Sequence, residues 1–414
     1  MKRLAALLMA AMMAGQAAGQ AAWAASSGAS DPSIVIGFIA TRSGGGAVAG
    51  QDAADGFALA LKQLGGRFAN QEVRVVALDD KGAPDVAIKL LERLVQTDRT
   101  DFVITAVGVS SLAAMRRTLD RSHLFVLNLE TPPPGLIGAD CSPDIFTLAP
   151  PPDAPHQLLG QYLIGDGVRK AVVISPDIPL ADLQVAAFKR GFPLDVTVLK
   201  AKRGAATFAR ELSRIAAIHP DVVYSLLSGG MGSAFIRAYQ EWDGEDAPPL
   251  YVQSESISRP YLAALGEDAL DVQAVGEWSA DIDNPGNKKL VADFEAEFGR
   301  PATTMAARGY DAALLLDSVV RANNGKTGDI DAVRTALRRA DFPSVRGFFR
   351  FSRSHMPVLA YEMLTVARDA RGRLGTETGA VVSKEWMDNG HGACPMHWPD
   401  EYVPPVVKAT KKGG

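Results

Sequence analysis

The sequence is poor in cysteine and histidine and has no large excess of charge of either sign. Among 414 residues there are only two cysteines and six histidines. Lysine and arginine together number 43, aspartate and glutamate 47, and the formal net charge is −4. A weakly acidic chain offers no electrostatic attraction to nucleic acid or to anionic lipid. We therefore expect no nucleic-acid partner.

Sequence motifs of common enzyme classes are missing as well. No G-x-S-x-G segment, the usual setting of a hydrolase serine, occurs in the chain. Residues 229–232 read Gly-Gly-Met-Gly ahead of a predicted helix, but they lack the lysine of a phosphate loop and the glycine spacing of a dinucleotide site. The sequence therefore predicts no catalytic residue and no cofactor, and an exported enzyme remains a remote alternative.

Long hydrophobic runs are confined to the N-terminus. Lys2 and Arg3 precede an apolar run over residues 4–14, and Ala22-Trp23-Ala24 fits a cleavage site. This pattern predicts a secretory signal peptide over residues 1–24. An uncleaved anchor is the alternative, although the run is shorter than the roughly 20 residues of a membrane span. No cysteine lies near the cleavage site, so we expect no lipid anchor, and removing this segment changes the net charge from −4 to −6 because it contains two basic residues and no acid.

The two cysteines, Cys141 and Cys394, have two possible roles. Two thiols in an exported chain favour a disulfide bond. The alternative is a soft metal site formed by Cys394 with His391 and His397. We favour the disulfide and expect no metal, because this cluster, which has Met396 beside it, finds no fourth ligand elsewhere in the chain.

The rest of the chain alternates between short apolar runs and amphipathic helical patterns. Residues 33–40 (SIVIGFIA) and 101–105 predict strands, and residues 84–95 predict a helix with Pro84 in its first turn. A proline-rich stretch at 150–152 interrupts the alternation, which then restarts at about residue 157. About 390 exported residues exceed one ordinary core, so the pattern predicts two αβ blocks around parallel sheets.

Six segments, in order, resemble the branched-chain-amino-acid type of ABC-transporter substrate-binding proteins, which are leucine-binding-protein-like type I periplasmic binding proteins. The similarity covers about residues 33–368. The segments are IVIGFIATRSGGGAVAGQDAADGFALALKQLGG, VVALDDKGAPDVAIKLLERLV, DFVITAVGVSSLAA, HPDVVYSLLSGG, FEAEFGRPATTMAARGYDAALLL and RGFFRF.

The resemblance implies an α/β fold with two Rossmann-like lobes joined by three crossings around a ligand cleft. By analogy, lobe 1 comprises residues 33–152 plus 282–344, and lobe 2 comprises residues 153–281 plus 345–390. Residues 391–414 then form a C-terminal tail.

Ligands of open parallel sheets lie beyond the carboxyl ends of the strands, so the turns there are the candidate site. Ser110 and Ser111 open a predicted helix, whose free N–H groups favour a carboxylate. The resemblance places both serines against a ligand carboxylate, and a helix-capping role is the alternative. Asn128 and Thr131 follow the next strand, and Thr131 resembles a family threonine that contacts the ligand.

Two acidic residues also belong to the predicted site. Glu130 stands where the family usually has a small residue; it would repel an anionic ligand or pair with a cationic one, or else be a surface acid. Glu255 resembles the family acid that receives a ligand ammonium, and capping of the turn over residues 254–258 is the alternative.

The resemblance is incomplete in the second lobe. The family usually has Asp-x-x-Tyr-Gly where this chain has Asp177 followed by Ile, Pro, Leu180 and Ala, so the aromatic wall is missing. We still include Asp177, Leu180, Ser228 and Gly229 among the expected ligand contacts. Arg42, in a glycine-rich loop, is interpreted as a solvated side chain.

The resemblance implies a monomeric periplasmic protein that captures a small polar organic solute, an amino acid or a related carboxylate or amide, by hinge closure. The implied partners are this ligand and an inner-membrane ABC permease. A ligand-binding sensor on the same fold is the alternative function.

Overall fold

The computed structural model of the chain describes residues 34–242 and 247–402. The predicted signal peptide and residues 403–414 of the predicted tail lie outside the described residues. No described helix combines the length and the apolar character that a membrane crossing requires.

The first sheet has six strands, in the order β2-β3-β1-β4-β5-β6, and all of its pairs are parallel except β2 with β3. Its apolar side chains are buried on both faces, as expected for a parallel sheet, except along β3, where they are half-buried. The strands are β1 Ile34–Ala40, β2 Arg67–Phe68, β3 Gln71–Asp79, β4 Phe102–Ala106, β5 Phe125–Asn128 and β6 Ile145–Thr147.

The second sheet has eight strands, with β12-β13-β11-β10-β9-β7-β8 in order and β14 paired to β13. Strands β7 to β11 are parallel, and β12, β13 and β14 join them in antiparallel fashion. The strands are β7 Lys170–Pro176, β8 Asp195–Ala201, β9 Val222–Ser225, β10 Leu250–Val252, β11 Gln273–Gly276, β12 Phe349–Phe351, β13 Pro357–Arg368 and β14 Leu374–Trp386.

The helices cover both faces of each sheet, which gives the predicted two αβ lobes. We call each sheet with its helices the first and the second lobe. The first lobe contains α1 Ala47–Gln63, α2 Pro84–Gln96 and α3 Val109–Ser122, and the second contains α4 Ala154–Gly165, α5 Pro179–Gly191, α6 Ala209–Ile218, α7 Gly229–Gln240 and α8 Arg259–Leu265. The late helices α9 Pro285–Phe298, α10 Thr304–Ala322 and α11 Ile330–Arg339 return to the first lobe, so the chain passes between the lobes over residues 148–153, 277–284 and 340–348.

Helices α1 and α10 pack closely because a glycine of each faces the backbone of the other. A Cβ added at Gly56 would lie 2.0 Å from the carbonyl oxygen of Ala306, and one added at Gly309 would lie 2.0 Å from that of Ala53. This close contact fixes the position of the beginning of α10. Thr303, just before the helix, and Arg308, in its second turn, are thereby held beside a cavity that second-lobe residues also line.

The C-terminal segment returns from β14 to the first lobe. Cys394 forms a disulfide bond with Cys141, which lies between β5 and β6 of the first lobe, as predicted. The Trp398 ring stacks on His355 with ring centroids 5.6 Å apart, and Glu401 accepts a 2.9 Å hydrogen bond from Arg353. Residues 391–402 are therefore packed against the protein.

Candidate ligand-binding cleft

The carboxyl ends of the parallel strands of both sheets border a cavity between the lobes. Its volume is about 540 Å³, and both lobes contribute to its wall. The first lobe supplies residues that follow β4 and β5, and the second supplies residues that follow or belong to β9, β10 and β11. The cavity therefore lies where open parallel sheets bind their ligands.

Six prolines form much of the apolar wall of this cavity. They stand in the segment after β5, along the first crossing and in the first turn of α4. They are Pro132, Pro134, Pro150, Pro151, Pro152 and Pro155. Leu180, Val252 and Val275 add aliphatic surface from the second lobe.

The two serines at the start of α3 differ in their contacts. Ser110 is exposed and lines the cavity. Ser111 is buried, and its Oγ donates a 2.7 Å hydrogen bond to Oδ2 of Asp80. The N-cap position belongs to Gly108, so neither serine caps the helix. The hydroxyl hydrogen of Ser111 is thus already used inside the first lobe.

Glu130 and Thr131 line the cavity from the turn after β5. Burial raises the pKa of the Glu130 carboxyl; the Arg308 guanidinium and the N–H of Thr131 oppose this rise, and the nearby Glu255 carboxylate adds to it. Asn128 is fully buried below the turn, where it accepts a 3.1 Å hydrogen bond from Thr105 and donates to the carbonyl oxygen of Glu130. Asn128 therefore supports the turn and does not line the cavity.

Glu255 lines the same cavity from the second lobe, in the short 3₁₀ turn after β10. Behind it, the buried Tyr224 hydroxyl forms a hydrogen bond with Nδ1 of His156. Burial lowers the pKa of His156 to about 3, so its imidazole is neutral at physiological pH. Burial, together with the Glu255 charge, raises the pKa of Tyr224 well above its ordinary value. The two side chains behind Glu255 therefore carry no positive charge, and the Arg308 guanidinium acts on its carboxylate from the neighbouring wall.

The remaining predicted contacts divide into two groups. Leu180, at the beginning of α5, is exposed and lines the cavity. Asp177, Ser228 and Gly229 stand at neighbouring strand ends but are not part of the cavity wall in this conformation. Their role in ligand binding stays a prediction.

A buried ion-pair network connects the crossings behind the cavity. Arg308 donates to Oε1 of Glu277 at 2.6 Å and to the carbonyl oxygen of Leu129 at 3.1 Å. Arg346 pairs with Asp311 at 2.8 Å and lies 3.4 Å from the other oxygen of Glu277. Arg346 also donates to the carbonyl oxygen of Leu148 at 2.7 Å, so the network contacts all three crossings.

A second cavity, of about 520 Å³, adjoins the first across the Ser254-Glu255 turn. Its wall includes the Trp278 and Tyr361 rings, and Arg308 enters it from the first lobe. Glu255 borders both cavities, so a side chain of the predicted site separates them.

One ion pair joins the lobes directly at the edge of this second cavity. Arg259, at the start of α8, donates to both oxygens of Asp52 on α1 at 3.1 and 3.2 Å. Asp52 is only 2 % exposed, and it also pairs with Arg300 at 2.7 Å and accepts a 2.9 Å hydrogen bond from Thr303. The first lobe therefore presents a prearranged carboxylate to the second.

Several site residues escaped sequence reasoning. Tyr224 lies in the apolar part of the segment HPDVVYSLLSGG, and His156 lies just before the point where the alternation restarts, so neither carries a binding signal. The proline wall was visible as a composition break at residues 150–152 but was interpreted only as a boundary. The pairing of Arg308 with Glu277 spans 31 residues and had no local signal. Arg42 donates to Gln51 at 2.8 Å and is not part of either cavity wall.

Comparison with known proteins agrees with this geometry. A family model described as periplasmic binding protein matches residues 33–371. A solute-binding protein of an ABC transporter from R. palustris, in complex with benzoate, is 25% identical, with a TM-score of 0.76 over 88% of this chain and 99% of the other. The curated proteins give no significant match.

Two further solved structures are similar in fold. An ABC-transporter substrate-binding protein from Sphaerobacter thermophilus is 24% identical, with a TM-score of 0.78 over 85% of this chain and 98% of the other. A branched-chain amino acid ABC-transporter periplasmic ligand-binding protein from Burkholderia xenovorans is 15% identical, with a TM-score of 0.78 over 88% and 99% of the two chains. Below 25% identity, both are evidence for the shared two-lobed fold alone.

Proposed function

The chain belongs to the periplasmic binding protein family, and from this premise we propose that it captures a small organic solute in the bacterial periplasm for an ABC transporter. The observation that carries the proposal is the cavity between the lobes, whose wall comes from both. A ligand that contacts both lobes favours the closed arrangement by its difference in affinity for the two states. Binding is thereby converted into hinge closure, which a permease can recognise.

The proposed partner is an inner-membrane ABC permease. The support comes from the R. palustris protein, which is a solute-binding protein of such a transporter, and from the secretory pattern of residues 1–24. The exported chain is proposed to act as a monomer without a cofactor.

The proposed ligand contacts are the predicted residues that line the cavity. Ser110 and Thr131 act from the first lobe, and Leu180 and Glu255 act from the second. Their arrangement on opposite walls supports a ligand held between the lobes. Glu255 is the proposed partner of a positively charged group, because an exposed carboxylate at a strand end is free to pair with one.

The test is compaction on ligand binding. The protein is isolated from the periplasm without denaturation, and its co-purified small molecule is identified by mass spectrometry. The ligand is then removed and added back while small-angle scattering measures the radius of gyration. We expect the radius to fall when the ligand is added. An unchanged radius with a tightly bound ligand would contradict hinge closure.

Transport is tested separately from binding. Deletion of the encoding gene is expected to abolish cellular uptake of the identified ligand, and the gene on a plasmid should restore it. Unimpaired uptake in the deletion strain, with normal capture by the purified protein, would favour a sensing role.

A further inference from the structure

The charged side chains in the wall of the cavity of about 540 Å³, which we call the main cavity, are of one sign. Among the described residues that line it, the carboxylates are Glu130 and Glu255, and no lysine or arginine is present. The one histidine, His156, is neutral because burial lowers its pKa to about 3. An anionic ligand placed here would therefore meet two carboxylates and no cationic side chain in the wall.

The nearest cation is already engaged. The Arg308 guanidinium donates to Glu277 at 2.6 Å and to the carbonyl oxygen of Leu129 at 3.1 Å. It borders the second cavity and not the main one. Its charge acts on both Glu130 and Glu255, but its hydrogen bonds are directed to groups other than a ligand in the main cavity.

The beginning of α3, which could hold a ligand carboxylate, is also poorly suited to an anionic group. Ser111 gives its hydroxyl hydrogen to the buried carboxylate of Asp80, which accepts a second 2.7 Å hydrogen bond from Thr41. Glu130 borders a small cavity of about 330 Å³ at this same helix start, together with Ser110. A carboxylate of the protein thus stands beside the place where an anionic group would otherwise bind.

We propose that the cleft selects an organic cation, whose positive charge is held between Glu130 of the first lobe and Glu255 of the second. This inference rests on the proposed function, since it names the ligand class of the same cavity. The prolines and the side chains of Leu180, Val252 and Val275 suit an apolar body attached to the charge.

A cation bound between the two carboxylates would also favour closure of the lobes. The carboxylates belong to different lobes, so closing the empty cleft either brings like charges together in a partly buried space or requires Glu130 to hold a proton, as its raised pKa indicates, and both are unfavourable at neutral pH. A cation between them replaces repulsion with two attractions. Selectivity and closure would then depend on the same charge.

The experiment measures binding by calorimetry with pairs of probes of matched size and opposite charge. The pairs are benzamidine with benzoate and phenylethylamine with phenylacetate, and the ligand that co-purifies with the exported protein is titrated beside them. The proteins are the wild type, Glu130→Gln, Glu255→Gln and Glu241→Gln. Glu241 is an exposed residue at the end of α7, remote from the cavity wall, and serves as the matched control.

We expect cations to bind the wild type and the Glu241→Gln control equally. Each of the other two substitutions should weaken that binding by about tenfold or more, because one charge partner is lost. Unchanged cation binding by Glu130→Gln would overturn the role of Glu130.

Other outcomes separate this inference from the proposed function. Tighter binding by the wild type of a carboxylate probe than of its matched cation would overturn the cation preference and leave solute capture intact. If neither the probes nor any co-purified molecule binds, both the inference and the proposed function fail.

Discussion

At the scale of single residues, Ser110 and Ser111 show how neighbours in sequence acquire different tasks. Ser110 faces the cavity with a free hydroxyl, whereas Ser111 is buried and donates to Asp80 at 2.7 Å. Asp80 is itself fully buried, so it depends on its hydrogen-bond donors. Removing a donor to a buried charged group costs stability, while removing an exposed hydroxyl does not.

We expect Ser111→Ala to lower the free energy of unfolding by about 1.5–3 kcal/mol, because the Asp80 carboxylate loses a hydrogen bond. Ser110→Ala should leave the unfolding free energy unchanged and alter only ligand affinity. Urea denaturation and calorimetry of the two variants measure these quantities. Equal stability of both variants would show that the Asp80 contact is energetically unimportant.

The second residue-scale prediction concerns pH. The pKa of Glu130 is raised by burial, with Arg308 opposing and Glu255 adding to the rise, so the folded protein holds this proton at a pH where the unfolded chain has lost it. The contribution of Glu130 to stability is therefore lost as pH rises from the ordinary value of 4.5 through the raised pKa. Glu130→Gln should remove this part of the pH dependence.

The measurement is the unfolding free energy of wild type and Glu130→Gln between pH 4.5 and 7.5 at fixed ionic strength. The difference in unfolding free energy between the two proteins contains the contribution of Glu130 and cancels that of other buried acids with raised pKa values, such as Asp311. A constant difference across this range would contradict the prediction. A cationic ligand should bind more tightly as pH rises through the same window, because it displaces the proton.

At the scale of elements, the contact between α1 and α10 organises the first lobe. Gly309 has no room for a side chain, because an added Cβ would lie 2.0 Å from the carbonyl oxygen of Ala53. The same contact places the beginning of α10 against the cleft. A change here should therefore affect stability first and binding second.

We expect Gly309→Ala to lower the free energy of unfolding by about 1–3 kcal/mol, because the helices must separate to admit the methyl group. Gly328→Ala is the matched control, since nothing lies within 4 Å of its added Cβ. Thermal and denaturant unfolding of the two variants give the comparison. A Gly309→Ala protein as stable as the control would mean that the helices adjust without cost.

The ion pair between Asp52 on α1 and Arg259 on α8 is an element-scale contact between the lobes that the proposed closure would involve. Asp52 has Arg300 and Thr303 as partners within the first lobe, whereas Arg259 reaches it from the other lobe. Arg259→Gln should therefore weaken ligand binding, by up to about fivefold for a partly exposed pair. Lys62→Gln, which removes an exposed pair with Glu297 inside the first lobe, should leave affinity unchanged. Equal affinities by calorimetry would exclude a role for Arg259 in closure.

The elements differ in how far the sequence could predict them. Strands β1 and β4 are apolar runs bounded by polar turns, and the pattern predicts their positions to within a residue. Strand β14 was missed, because its residues are mostly half-exposed and polar and its pairing with β13 lies at the edge of the sheet. Strand β6 has three residues, too few for any periodicity.

The residues of the candidate site also differ in how far the sequence could predict them. Ser110, Glu130, Thr131 and Glu255 were predicted because strand ends are fixed by local pattern and the resemblance selects among them. Partners distant in sequence were not predictable, since Ser111 and Asp80 are 31 residues apart and Asp52 and Arg259 are 207 apart. Long-range pairing is decided by how the lobes pack, which no local pattern records.

At the scale of the whole molecule, the C-terminal segment adds a further connection between the lobes. It leaves β14 in the second lobe, where Asn389 donates to Asp153 at 2.8 Å. It then reaches the first lobe, where Cys394 is bonded to Cys141 and Asp400 pairs with Arg338 of α11. The three crossings of the chain are thus accompanied by a disulfide-bonded segment beside the hinge.

Replacing both Cys141 and Cys394 by serine should lower the free energy of unfolding by up to about 5 kcal/mol, because the bond closes a long loop in the unfolded chain. The two cysteines are separated by 253 residues, and so long a loop places the expected stabilisation at the upper end of its range. Neither lines the main cavity, so ligand affinity should be preserved. The measurement is denaturant unfolding of wild type and variant, with thiol titration of the denatured, unreduced wild type as the control. Two reactive thiols in that titration, or a variant as stable as the wild type, would show that the bond is absent or does not stabilise the fold.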